Sequence, residues 1–102
     1  PGIFLVAAAR AQIWQPQDPC VIPGITYHPP NMPGQGRSIE ATWQACQMRC
    51  QRLQPQGCAH FSFWPDGGCH LSDSGSVETL AWGSGADKMV SGQVDCQFAQ
   101  FP

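Results

Sequence analysis

Six cysteines in a chain of 102 residues, Cys20, Cys46, Cys50, Cys58, Cys69 and Cys96, constrain this sequence more than any other feature. An even number of cysteines in so short a chain reads as a disulfide framework assembled in an oxidising compartment. The chain is therefore expected to be secreted, or held in a secretory organelle. A chain of this length forms one domain with a limited core. With 11 glycines and 10 prolines, much of it must be turn and loop, so covalent closure is expected to carry a large share of its stability.

The charge balance limits the partners. Five Lys and Arg residues against seven Asp and Glu give a net charge of −2, and no basic cluster occurs. The cationic surface that dominates affinity for nucleic acid and for anionic lipid is missing, so neither is an expected partner. The run Ile3-Phe4-Leu5-Val6-Ala7-Ala8-Ala9 falls well short of the roughly 20 apolar residues that span a bilayer, and no membrane insertion is expected. Nothing before Cys20 can pin the chain covalently. Residues 1–18 therefore read as a mobile linker, 19–98 as the folded domain and 99–102 as a tail.

Local patterns predict an α+β domain. Thr42 is a good N-cap, and Trp43, Cys46, Cys50 and Leu53 recur at steps of three and four, the buried stripe of a helix that Pro55 and Gly57 stop. Next, Ala59, Phe61 and Phe63 alternate with His60, Ser62 and Trp64, the period-two signature of a strand. Pro65-Asp66-Gly67-Gly68 is a turn and Cys69-His70-Leu71 begins the returning strand of a hairpin. Upstream, six prolines between residues 12 and 36 leave room for one short strand, around Ile25-Thr26-Tyr27. From Ser72 to Lys88 a Ser- and Gly-rich loop is expected to hold one short strand near 77–82. Met89-Val90-Ser91 and Val94-Asp95-Cys96 read as a closing strand.

Helix geometry narrows the cysteine pairing. Cys46 and Cys50 lie about one helical turn apart, with Cβ atoms roughly 5–6 Å apart, beyond the roughly 3.5–4.5 Å of a disulfide. Each must reach off the helix to the hairpin. A helix that ends at Leu53 and doubles back into a strand brings Cys50 beside Cys58, which leaves Cys46 for Cys69 and Cys20 for Cys96. One detail resists this scheme: Cys58 shares the parity of His60 and Ser62, away from the helix. A bulge or an irregular strand start must turn it inward.

Thr42-Trp43-Gln44-Ala45-Cys46-Gln47-Met48-Arg49-Cys50, Gly57-Cys58-Ala59-His60-Phe61-Ser62-Phe63, Gly68-Cys69-His70-Leu71 and Val90-Ser91-Gly92 before Cys96 resemble the successive motifs of PAN/apple domains. The resemblance runs from Cys20 to Cys96 and includes all six cysteines. It is slightly stronger toward the apple modules of apicomplexan microneme adhesins than toward those of coagulation zymogens. It implies one central helix packed on a curved antiparallel sheet of about five strands, with first-to-sixth, second-to-fifth and third-to-fourth disulfides. It also implies binding of a cell-surface protein or glycan as one repeat of a larger secreted protein, the microneme being the organelle if the closer likeness holds. The alternative it carries is assembly with another domain or subunit, as in a secreted protease zymogen. Ser72 departs from the pattern, since many members carry a lysine there.

Sites of other kinds are weakly supported. No Cys-x-x-Cys pair supports a zinc site built on the cysteines and His70, so no metal is expected. Six paired cysteines leave no thiol nucleophile, and no nucleophile–base constellation is visible; neither catalysis nor a cofactor is expected. Trp43 lies on the helical stripe and reads as core. The row His60, Ser62, Trp64 with His70 on the returning strand is where aromatic and polar groups should meet at a surface, which makes Trp64, His60 and His70 the ligand-binding candidates. The plainer reading of Trp64 is that it flanks a turn and covers the hairpin. Asn31, the single asparagine, is followed by Met32 and Pro33, so the chain has no N-glycosylation sequon.

Overall fold

The helix α1 spans Trp43–Arg52. The Thr42 side chain accepts a hydrogen bond from the Ala45 N–H at 3.1 Å, satisfying one of the donors that a helix start leaves open. Pro55 does not end the helix abruptly: the chain tightens into a 3-10 turn, Gln54–Gln56. Gly57 then leaves with φ 110°, a backbone angle that glycine adopts without strain. The computed structural model describes residues 20–96, so the linker and tail expected at 1–18 and 99–102 lie outside the described residues.

Seven strands complete the described fold. β1 (Val21–Pro23), β3 (Ser38–Ile39), β4 (Cys58–Phe63), β5 (Gly68–Asp73) and β7 (Val90–Gln93) form an antiparallel sheet in the order β1-β7-β4-β5-β3. β2 (Ile25–His28) and β6 (Val77–Leu80) pair separately as an antiparallel ribbon. The Pro-rich segment thus holds two strands where one is expected. Gly24, at φ 77°, separates them, and Pro23 is tolerated because β1 is a sheet edge.

In the hairpin, Trp64 O accepts from the Gly67 N–H and Trp64 N–H donates to Gly68 O, both at 2.9 Å. Gly67 has φ 92°, giving the turn-plus-glycine-bulge connection of a three-residue hairpin loop. A second bulge answers the parity problem at Cys58. Register runs His60↔Ser72 but Cys58↔Asp73, so Ala59 is an extra residue in β4. Its carbonyl accepts from the Val94 N–H at 2.8 Å, and Cys58 turns inward to 2% exposure.

The molecule has three layers. α1 lies on one face of the sheet, where Phe61, Leu71, Cys46, Cys50 and Cys69 are fully buried and Trp43 stacks on Phe61 with ring centroids 6.1 Å apart. The disulfides Cys46–Cys69 and Cys50–Cys58 tie helix to hairpin, and Cys20–Cys96 ties the start of β1 to the chain beyond β7. Two polar side chains of α1 assist. Gln47 Nε2 donates to Val94 O at 2.7 Å. The Arg49 guanidinium donates to Ser38 Oγ, Cys69 O, Gln35 Oε1 and Gly36 O, holding the segment before β3 against the helix.

The ribbon covers the opposite face. Thr26 Oγ1 donates to Ser62 Oγ at 3.1 Å, and the Tyr27 ring lies flat on the His60 imidazole, centroids 4.0 Å apart and 4° from parallel. The row expected to face outward is therefore partly closed over, and Ser62 is only 2% exposed. No helix among the described residues is long and apolar enough to cross a membrane.

Candidate functional site

The ribbon meets the hairpin along a cleft. Its first hollow, about 280 Å³, is lined by Thr26, Tyr27, Trp64, His70, Thr79 and Trp82 among others. A second, about 300 Å³, shares Trp64 and His70 and adds Arg37, Asp66 and the Gly85 loop. The type of hairpin turn places Trp64 at the end of β4, and the Gly85 backbone packs against Pro65 and the Trp64 ring. His70 reaches the same place from β5, opposite Ser62.

Of the three sequence candidates, Trp64 and His70 are brought together here. His60 is not: it sits behind Tyr27, between sheet and ribbon. Ser76 Oγ donates to Asp73 O at 2.7 Å and so accepts from His60 Nδ1–H at 3.0 Å. This proton arrangement is the reverse of a base activating a serine, and the pair serves to hold the chain beyond β5. Burial lowers the His60 pKa below that of a free imidazole, with Asp73 and Glu78 partly opposing.

His70 Nδ1 lies 3.0 Å from Asn31 Oδ1. With the amide oxygen accepting, Nδ1 carries the proton and Nε2 keeps a lone pair for an incoming donor. Burial lowers the His70 pKa, Arg37 adds to that effect, and Asp66 opposes it. The neutral imidazole is thus favoured near neutral pH. Arg37 Nη2 and Asp66 Oδ2 form an ion pair at 3.0 Å. The Asp66 carboxyl is held low chiefly by the Gly68 N–H, then by Arg37.

Sequence reasoning missed Trp82, which is 83% exposed on the rim of the cleft. It lies in a Ser/Gly-rich stretch with no periodic neighbour, and only its residue type could have drawn attention. Tyr27, the single tyrosine, forms a wall; its hydroxyl donates to Glu78 and accepts from Gln93. Burial, then the Glu78 charge, raises its pKa. No group of three or more His, Cys, Asp or Glu side chains among the described residues is placed to hold a metal ion. The cleft can offer two indole faces, hydroxyls, an imidazole and an ion pair. The chain matches no protein-family model, no curated protein and no solved structure.

Proposed function

We propose that this chain is a secreted, non-catalytic recognition module of the PAN/apple type, which binds a cell-surface glycan or protein in the cleft between ribbon and hairpin. The observation that carries the reading is the convergence of Trp64 and Trp82 on one hollow with His70. Indole rings stack on the apolar faces of sugars and anchor protein contacts, while the imidazole and threonine hydroxyls satisfy polar groups. The three disulfides support the assignment to an oxidising compartment. The motif order around the six cysteines supports the family assignment and, with it, a place in a multi-module adhesin of a secretory organelle such as the microneme.

The test is titration of oligosaccharides and of soluble cell-surface proteins onto the domain, followed by backbone amide shifts and tryptophan fluorescence. Shifts should cluster at Trp64, His70, Thr79 and Trp82. Trp64→Ala or Trp82→Ala should each weaken binding by about 1–2 kcal/mol, as truncated aromatic anchors do. Shifts confined to α1 or β1 would place recognition elsewhere. The assembly reading draws on a different observation, the bare outer strand of the ribbon.

A further inference from the structure

β6 stands off the body of the molecule. All four of its residues, Val77-Glu78-Thr79-Leu80, are exposed, Val77 at 62% and Leu80 at 74%. Within the ribbon, Ala81 N–H donates to Gly24 O at 2.9 Å, and the register continues Ile25↔Leu80, Thr26↔Thr79, Tyr27↔Glu78 and His28↔Val77. Bonded and non-bonded pairs alternate in an antiparallel ladder, so Thr79 and Val77 turn their N–H and C=O groups toward β2. Glu78 and Leu80 turn theirs outward, and among the described residues no strand pairs with that edge.

The edges of the five-stranded sheet are blunted in familiar ways: β1 ends in Pro23, and β3 is two residues long. β6 has neither device, and no lysine or bulge protects it. An unguarded edge of this kind is a template for another strand.

We propose that the occupant is β6 of a second copy of this chain, paired antiparallel about a two-fold axis at Thr79. This goes beyond ligand recognition in the cleft. A two-fold pairing that joins outward-facing groups has three close registers, with Glu78 opposite Glu78, Glu78 opposite Leu80, or Leu80 opposite Leu80. The first sets two carboxylates face to face, which is destabilising. The third leaves Val77 and Glu78 overhanging the partner's β6. The second uses both outward residues of each strand and keeps each carboxylate away from the other. It also brings Thr79 against Thr79 of the second copy at a non-bonded site, where side chains approach most closely and Thr–Thr pairs are favourable. Val77 then faces Ala81. The two ribbons become one four-stranded sheet, β2-β6-β6-β2.

An interface this small belongs with weak, transient contacts, so association is sought by sedimentation at protein concentrations up to about 1 mM. Wild type should show a concentration-dependent dimer. Leu80→Pro removes an N–H that the ribbon itself does not use and leaves Thr79 extended; association should weaken at least about tenfold, a change of roughly 1.4 kcal/mol. Leu80 also lines the cleft, so the readout is mass and not ligand binding. In oxidising buffer Thr79→Cys should cross-link into a dimer, because non-bonded partners lie about 4.5 Å apart at Cα, within disulfide reach. Glu78→Cys, with its counterpart displaced diagonally, should not. A wild type that stays monomeric throughout, a dimer indifferent to Leu80→Pro, or equal cross-linking at both positions overturns the proposal. So does protection of the Glu78 and Leu80 amides by an extended peptide of other sequence while the protein remains a monomer.

Discussion

His60 joins three parts of the molecule through one side chain. It projects from β4, stacks on Tyr27 of the ribbon and donates to Ser76 beyond β5. Tyr27 and Glu78 face it from the ribbon, Asp73 from the end of β5, and Ser72 Oγ donates to its carbonyl. Burial dominates this environment and lowers its pKa. The unfolded chain, titrating near 6.5, then takes up a proton more readily than the folded one. The stability that neutral His60 contributes is present above that value and lost as pH falls below it toward the lower folded value. His70, lowered chiefly by burial and then by Arg37, acts in the same direction. Thermal stability should therefore fall between about pH 7 and pH 5, and His60→Gln should flatten the dependence. An imidazole proton titration with a His60 midpoint above about 6.5 would reverse the sign. Gly92 is another residue whose identity is dictated by its surroundings. A Cβ there would lie 2.9 Å from Cys20 O and 3.0 Å from the Phe61 ring. Gly92→Ala should cost about 1–3 kcal/mol by overpacking, read as a lower denaturant midpoint with unchanged slope; a midpoint within error of wild type would mean that the ring can give way.

At the scale of elements, Arg49 is the helix side chain whose hydrogen bonds tie the segment before β3 to α1. Two strand residues pair with β5, Met32 N–H donates to Leu71 O and Arg37 pairs with Asp66, while the Arg49 guanidinium, its pKa lowered mainly by burial, ties Gln35, Gly36 and Ser38 to the helix. Arg49→Ala should cost about 2–3 kcal/mol, in line with hydrogen bonds to a charged group, and Arg49→Lys should recover little because an ammonium cannot fork to several acceptors. Amide exchange at Ser38 and Ile39 reads this directly; unchanged protection there would assign the hold to the strand pairing and the flanking Arg37–Asp66 and Glu40–Gly67 contacts. Nothing in Gln47-Met48-Arg49 announced this clamp, for a polar residue beside the apolar stripe reads as solvated until the loop that meets it is known. α1 and the β4–β5 hairpin were legible because each carries its own period and its own stop signals within a dozen or so residues. The ribbon was not. Its strands are four residues each, and Ile25 and Leu80 meet across most of the domain, a pairing that local pattern does not encode. The alternation through β4 told which side chains leave the helix face, but not that Thr26 and Tyr27 would cover them. Ser62 consequently lies in a polar layer between sheet and ribbon. Trp64 and His70 instead line the hollow between ribbon and hairpin.

For the whole molecule, the closed loops set the balance between stability and architecture. The sequence separations of 8, 23 and 76 residues for Cys50–Cys58, Cys46–Cys69 and Cys20–Cys96 correspond to about 2.5, 3.4 and 4.5 kcal/mol in a chain-entropy treatment. Nested loops share chain, so these are upper limits and do not add. The longest loop has the largest entropic effect, yet it closes at the periphery: Cys20 precedes β1, an edge strand, and Cys96 follows β7. The helix and hairpin at the centre carry the two shorter bridges and the buried Phe61 and Leu71. Replacing Cys20 and Cys96 together by Ala should therefore lower global stability by up to about 4.5 kcal/mol without dissolving the centre. β1 should lose amide-exchange protection first, since among the described residues its only strand partner is β7. Residues 94–96 should follow less completely, because Gln47 Nε2 still holds Val94 O. α1, β4 and β5 should keep protection set by global unfolding. If protection in β4 and β5 falls to the level of β1, the sheet depends on the outer bridge. If β1 stays as protected as β4, pairing with β7 and the Gly24–Met89 backbone hydrogen bond at 3.0 Å are enough to hold the edge without it.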